Sequence, residues 1–241
     1  MSVPSGEKNN IWWDLNKKFS KNLELALSTE VALTSRAEIQ ARAIPAVAGI
    51  LGADPGLTIW QRDALCMFDE VFADLTCSIY LSACGLDKPA QTILRRALEV
   101  GIATVYVWDL PHAFWAWKEH DKDLNFNDML EHLSSTGFTS HAKRQNPKYS
   151  GTELFNMALA KTLYRQLSNI VHGKMASFES VLPDKFQHSQ PDWRGHLELV
   201  CAVEDILNQL WINRFLSVSE RLESKFPQLR MRGTSENEPQ S

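Results

Sequence analysis

The chain has 241 residues, of which 44% are hydrophobic and 22% charged, with a formal net charge of -4. This composition suits a globular protein with a sizeable core, arranged as one large domain or two small ones. The acidic balance excludes a broad basic surface for sequence-independent binding of duplex DNA, but it permits a local cationic pocket. Cys66, Cys77, Cys84 and Cys201 form no Cys-x-x-Cys pair and read as reduced, buried, small apolar residues. The first ten residues are polar, with no apolar core of a signal peptide, and no apolar run approaches the ~20 residues of a membrane span. The expected location is therefore the cytoplasm, with no membrane partner.

Apolar residues recur at helical spacing from Asn10 to about Ile44, through Leu15, Phe19, Leu23, Leu27 and Val31. Pro45, Gly49, Gly52 and Ala53-Asp54-Pro55-Gly56 then mark a break. Thr58 with Gln61 forms a capping-box pattern that predicts a second helix from Thr58 to Ala83, stopped by Gly85. A third helix is predicted from Pro89 to Trp108, ahead of Pro111. An aromatic segment, Pro111 to Glu119, follows, and then a short amphipathic helix from Asn127 to Leu133 closed by Gly137. Ser140 to Ser150 reads as a basic loop. The next helix opens near Thr152 and closes at Gly173, and a loop from Phe178 to Pro191 follows it. A last long helix is predicted from Asp192 to Phe226, with a polar, disordered tail beyond it.

No hairpin signal or strand pairing stands out, so the expected fold is an all-α helical bundle with long core helices and short inserted ones. The expected organisation is an N-terminal helical extension over residues 1–44, a bundle over 57–226 and a tail over 227–241.

The chemistry-bearing stretch is Tyr164-Arg165-Gln166-Leu167-Ser168-Asn169-Ile170-Val171-His172-Gly173. Seven residues are nearly two helical turns, so Arg165 and His172 share one stripe with Ser168 and Asn169 between them. Such a stripe can hold a phosphate and move a proton. It can equally be a well-tied helix end, with Arg165 paired to a carboxylate such as Glu99 and His172 on the terminal carbonyls.

Arg165, six intervening residues and His172, late in a helix of an all-α bundle, resemble the motif of the HEPN superfamily. The helix around Leu94-Arg95-Arg96-Ala97-Leu98-Glu99 is similar to helices of that superfamily as well. Gln166 stands where active members often carry Asn, Asp or His. The resemblance implies a metal-independent endoribonuclease acting as a homodimer, in the manner of toxins and phage-defence effectors, with an antitoxin or other regulatory protein as partner and no cofactor. It implies Arg165 and His172 as catalytic residues, supported by Tyr164, Ser168 and Asn169, with Arg95 and Arg96 as further phosphate contacts. The family's other implied role is a noncatalytic module that binds nucleic acid or a partner protein.

The remaining candidates read as structural. His112, His120, His132 and His141 lack metal-ligand spacing, so no metal site is expected. Asp69, Glu70 and Asp74 share a face expected to be solvated. Trp108, Phe114, Trp115 and Trp117 read as packing residues, and Lys143, Arg144 and Lys148 as solvated charge.

Overall fold

Long amphipathic helices cannot leave their apolar stripes in water, and burying these stripes against one another organises the chain. The computed structural model describes residues 10–171 and 186–227. In order, its helices are α1 (Ile11–Ser28), α2 (Val31–Gly52), α3 (Ile59–Ala64), α4 (Cys66–Ala83), α5 (Asp87–Asp109), α6 (Pro111–His120), α7 (Phe126–Ser134), α8 (Thr136–Gln145), α9 (Met157–Val171), α10 (Gln190–Arg214) and α11 (Leu216–Lys225). Among the described residues there is no β-strand, and the protein is an all-α helical bundle.

The centre of the bundle is α4 and α5 side by side, with α10 laid across both and α2 closing the far side. Close approach of α5 and α10 depends on Gly101. A Cβ there would lie 2.5 Å from both terminal methyls of Leu207. One turn further along, the buried Trp211 packs on Phe68 at 5.2 Å between ring centroids and donates its indole N–H to Thr104 Oγ1 at 2.9 Å. Position 44 falls inside α2. Ala37, Ala43, Ile44 and Val47 of that helix are buried in the same core as α4, α5 and α10.

Several stop and start signals act as the sequence predicts. Gln61 Oε1 accepts from the Thr58 backbone N–H at 3.1 Å and from its hydroxyl at 2.8 Å. Gly85 takes a φ of 84°, and its backbone N–H and that of Leu86 turn back to the Ser82 and Leu81 carbonyls.

The differences have local causes. The helix expected over 10–44 divides where Glu30 enters the left-handed region at φ 49°. The second half then runs through Pro45, which forfeits only the hydrogen bond to the Ala41 carbonyl. The predicted Thr58–Ala83 helix is divided at Leu65 into α3 and α4, and the predicted Asp192–Phe226 helix is divided at Phe215, whose backbone is extended. Much of the expected basic loop is α8, because Ser135 caps Phe138 N–H at 3.2 Å and Phe138 and Ala142 bury one face. The chemistry-bearing helix begins at Met157 rather than Thr152. The Asn156 side chain accepts there from Leu159 N–H at 2.9 Å. Ser189, not Asp192, caps α10. The expected tail beyond Pro227 lies outside the described residues.

Candidate functional site

Helix α9 presents Met157, Ala160, Leu163 and Leu167 to the core and packs against α5. At the edge of that apolar stripe, Tyr164 and Ser168 stand one turn apart and meet Arg95 of α5. Arg95 donates from Nε to Ser168 Oγ at 3.0 Å and from Nη2 to the Tyr164 hydroxyl at 2.6 Å. Nη2 also reaches Glu99 Oε1 at 2.9 Å, one turn along α5. Arg95 thereby brings the Tyr164 hydroxyl and the Glu99 carboxyl together on one guanidinium nitrogen. Arg95 thus lies over the Tyr164 ring, 4.7 Å from its centroid, while Phe126 of α7 stacks on that ring at 3.9 Å and 6°. Burial raises the Glu99 carboxyl above its ordinary range, and the Arg95 guanidinium and the Tyr164 hydroxyl pull it back.

Arg165 occupies the next position on α9 and points outward. It is exposed and makes no hydrogen bond or ion pair with a described residue. Asn169, one turn further on, is half-buried. His172 lies outside the described residues. The structure therefore brings Arg95, Tyr164 and Ser168 together and gives Arg165, on the neighbouring position of α9, no partner among the described residues. The alternative pairing of Arg165 with Glu99 does not form, because Arg95 holds that carboxylate.

Arg96, a neighbour in sequence, is not brought to α9. It faces α4 and grips Asp74 through Nη1 at 2.6 and 2.7 Å, with Glu70 at 2.8 Å from Nη2. The expected solvated face is thus corrected at one position. Asp74 is buried and held by Arg96, whereas Asp69 and Glu70 are exposed. Burial raises the Asp74 carboxyl, opposed by Arg96.

One participant was read in part and another escaped. Glu99 is legible as a spacing-four partner of Arg95 on one helix, but not as part of a cluster with Tyr164 and Ser168. Phe126 carried no local signal, because its partner lies on another helix.

The aromatic candidates pack inward for the most part. Trp108 is buried against Phe215 at 5.3 Å, and Phe114 is buried with Trp115 at 5.1 Å, while Trp117 is partly exposed. Lys148 pairs with Glu220 at 3.2 Å. His141 lies 3.6 Å from Asp109, which Arg214 holds through Nε at 2.7 Å and through Nη2. Among the described residues no group of three or more His, Cys, Asp or Glu side chains is placed to hold a metal ion. No described helix is long and apolar enough to cross a membrane.

The arrangement offers one guanidinium with no partner among the described residues, a second one fixed by three partners, and a hydroxyl between two helices. Guanidinium groups so placed suit bidentate contact with phosphate or carboxylate oxygens. Comparison with known proteins finds no matching family model, no matching curated protein and no matching solved structure.

Proposed function

We propose that the seam between α5 and α9 binds an RNA phosphodiester, and that this chain is an HEPN-like, metal-independent endoribonuclease acting as a homodimer. The observation that carries this reading is Arg165, exposed and unpaired among the described residues, beside the Tyr164 and Ser168 side chains that anchor Arg95. The Arg165 guanidinium is therefore open to bidentate contact with phosphate oxygens.

The chemistry follows from the residue types. The substrate's own 2′-oxygen forms a bond to phosphorus while the bond from phosphorus to the 5′-oxygen breaks. A base takes the 2′-hydroxyl proton and an acid returns one to the leaving oxygen, giving a 2′,3′-cyclic phosphate and a 5′-hydroxyl. Arg165 holds the negative charge that builds on the phosphoryl oxygens. An unperturbed imidazole changes charge near neutral pH, so His172, seven residues on in the sequence, is by residue type a group for proton transfer. One chain supplies one such histidine, and a two-fold dimer supplies the base and the acid together. Ser168 and Asn169 orient these groups. A toxin or phage-defence role, control by an antitoxin or other regulator, and a cytoplasmic location belong to the same proposal.

The test is incubation of the full chain with a panel of RNAs in EDTA. The expected result is cleavage with cyclic-phosphate ends, reduced about a hundredfold or more in Arg165→Ala and in His172→Ala. An RNA panel left intact at every pH between 5 and 9 would overturn the nuclease reading.

One observation favours a second reading, a noncatalytic module that binds RNA or a protein. Glu99 already offsets the charge of Arg95, leaving less positive charge than a strong transition-state clamp requires. That reading expects binding without product, insensitive to His172→Ala. A steep salt dependence would identify phosphate rather than protein as the ligand.

A further inference from the structure

We infer that the outward face of α1 is a contact between two copies of this chain, in which two α1 helices run antiparallel across a two-fold axis near Ser20. This contact does not rest on the nuclease reading. The RNA site proposed above lies where α9 meets α5, whereas α1 packs on α4 and α2, so the contact through α1 is a separate two-fold.

Helix α1 is thinly held by its own chain. Of its 18 residues only Asn22 and Ala26 are buried. Asn22 donates to the Cys84 carbonyl at 2.9 Å and to the Phe186 carbonyl at 2.8 Å, and Phe19 meets the Phe186 ring at 5.8 Å. These ties fix one side of the helix. A helix of this length draws most of its stability from burying an apolar face, yet the other side exposes Trp13 at 43% and Leu27 at 56%, with Trp12 at 74% beside them.

The order of residues on that side identifies what covers it. Trp13, Lys17, Ser20, Glu24 and Leu27 follow one another at spacings of four and three, the repeat of a seam that faces another helix, and all five are exposed. From either end the row runs apolar, charged, small, charged, apolar, and its two charges are opposite in sign. Laid antiparallel on its own copy about Ser20, the row sets Trp13 against the partner's Leu27. Lys17 then stands within one residue's rise, about 1.5 Å, of the level of the partner's Glu24. Within one chain Lys17 and Glu24 are seven residues apart, beyond the spacing of three or four at which helix side chains pair, and neither makes an ion pair with a described residue. Asp14 and Lys21 stand about 80–100° round the helix from the row and Lys18 about 140°, so these charges flank the contact without entering it. RNA or an anionic membrane would answer Lys17 but repel Glu24, whereas a second copy answers both.

The experiment follows the mass of the full chain by sedimentation equilibrium across a dilution series. Wild type is expected to associate. Trp13→Ala is expected to weaken the association about thirtyfold or more, since one substitution acts twice in a two-fold contact. Lys17→Glu and Glu24→Lys are each expected to weaken it about tenfold by setting like charges opposite. The double exchange Lys17→Glu/Glu24→Lys restores opposite charges across the axis and is expected to return the association to within about threefold of wild type. Circular dichroism checks that each variant keeps its helices. A second readout needs no weakening. Cys66 and Cys77, expected to be buried, are exposed, so the host chain carries Cys66→Ser and Cys77→Ser. Mild oxidation is expected to join Ser20→Cys to its mate in a covalent dimer. Asn16→Cys is expected to stay unlinked, because its mate lies about 12 Å away along the axis, beyond disulfide reach. The inference is overturned by a wild type that is monomeric throughout, by single exchanges that leave the association unchanged, by a double exchange that does not recover it, or by equal linking at both positions. A monomer whose Trp13→Ala variant loses affinity for anionic vesicles or for RNA also overturns it and assigns the face to that ligand. Mass and linking are read without RNA cleavage, so this contact and the nuclease reading fail separately.

Discussion

Two carboxyl groups in this bundle live under opposite rules. Glu99, at the seam of α5 and α9, is half-buried and answered by Arg95 and Tyr164. Glu204, on the inner stripe of α10, is fully buried, and neither of its oxygens has a hydrogen-bond partner among the described residues. Asn208, one turn further along that stripe, is equally unanswered at both side-chain atoms. Polar groups at the seam are organised to hold a geometry. Those inside α10 are tolerated in neutral form and make stability depend on pH. The comparison separates residues that can act on a ligand from residues that only cost the fold something.

The largest effect expected of the α10 interior comes from His196. Ser78 commits its own proton to the Ala90 carbonyl at 2.8 Å, so its oxygen accepts from His196 Nε2 at 3.0 Å, and the imidazole is held neutral. Burial lowers its pKa from 6.5 to about 4. The folded protein therefore binds fewer protons here than the unfolded chain. Stability is complete above pH 6.5 and is lost as pH falls toward 4, by on the order of 3 kcal/mol. Urea unfolding of wild type and of His196→Gln across this range isolates the loss from the opposite dependence of Glu204. A difference between the two that stays constant with pH would show that His196 is accessible in the fold.

Glu204 works in the opposite sense. Burial raises its pKa well above 4.5, with Asp205 adding to the rise and Arg36 opposing it. Its stability contribution is complete below the ordinary glutamate range and is lost as pH climbs through the folded value. Glu204→Leu is expected to stabilise the protein at pH 8 by about 2 kcal/mol, since replacing an unpaired buried polar group with an apolar one of similar size removes a desolvation cost. Urea midpoints at pH 8 and pH 5 check it. A leucine variant less stable than wild type at pH 8 would mean that the carboxylate has a partner and that α10 follows the same rule as the seam.

The sequence reveals the helices more readily than it reveals this contrast. Helical periodicity, the Thr58–Gln61 cap and the Gly85 stop are local signals, and local structure obeys them. Breaks at Glu30 and Phe215 carry no proline or glycine, so periodicity runs through them. Arg95 was legible as a candidate, but its contacts with Tyr164 and Ser168 join residues 69 and 73 apart in the chain, a distance that no spacing rule spans. Glu204 was missed although a signal existed. It stands seven residues before Trp211 and four after Val200, in register with the apolar stripe. A charged residue in that register is a buried one, whatever its type suggests.

At the seam, expected effects are smaller because the network is half-solvated. Tyr164→Phe keeps the stack on Phe126 but removes the hydroxyl that accepts from Arg95. The expected loss is about 1 kcal/mol, read as a lower urea midpoint. If the loss equals that of Tyr164→Ala, the ring and not the hydroxyl joins α9 to the bundle.

Arg165→Ala marks the small end of the scale and is the sharpest test of the division. An exposed side chain with no partner among the described residues contributes within about 0.5 kcal/mol to stability. Thermal unfolding of this variant should therefore match wild type while affinity for RNA falls. A stability loss of the Tyr164→Phe size would place Arg165 inside the structural network. An arginine that costs the fold almost nothing when removed, yet abolishes ligand binding, behaves as a group whose partner is not in this chain.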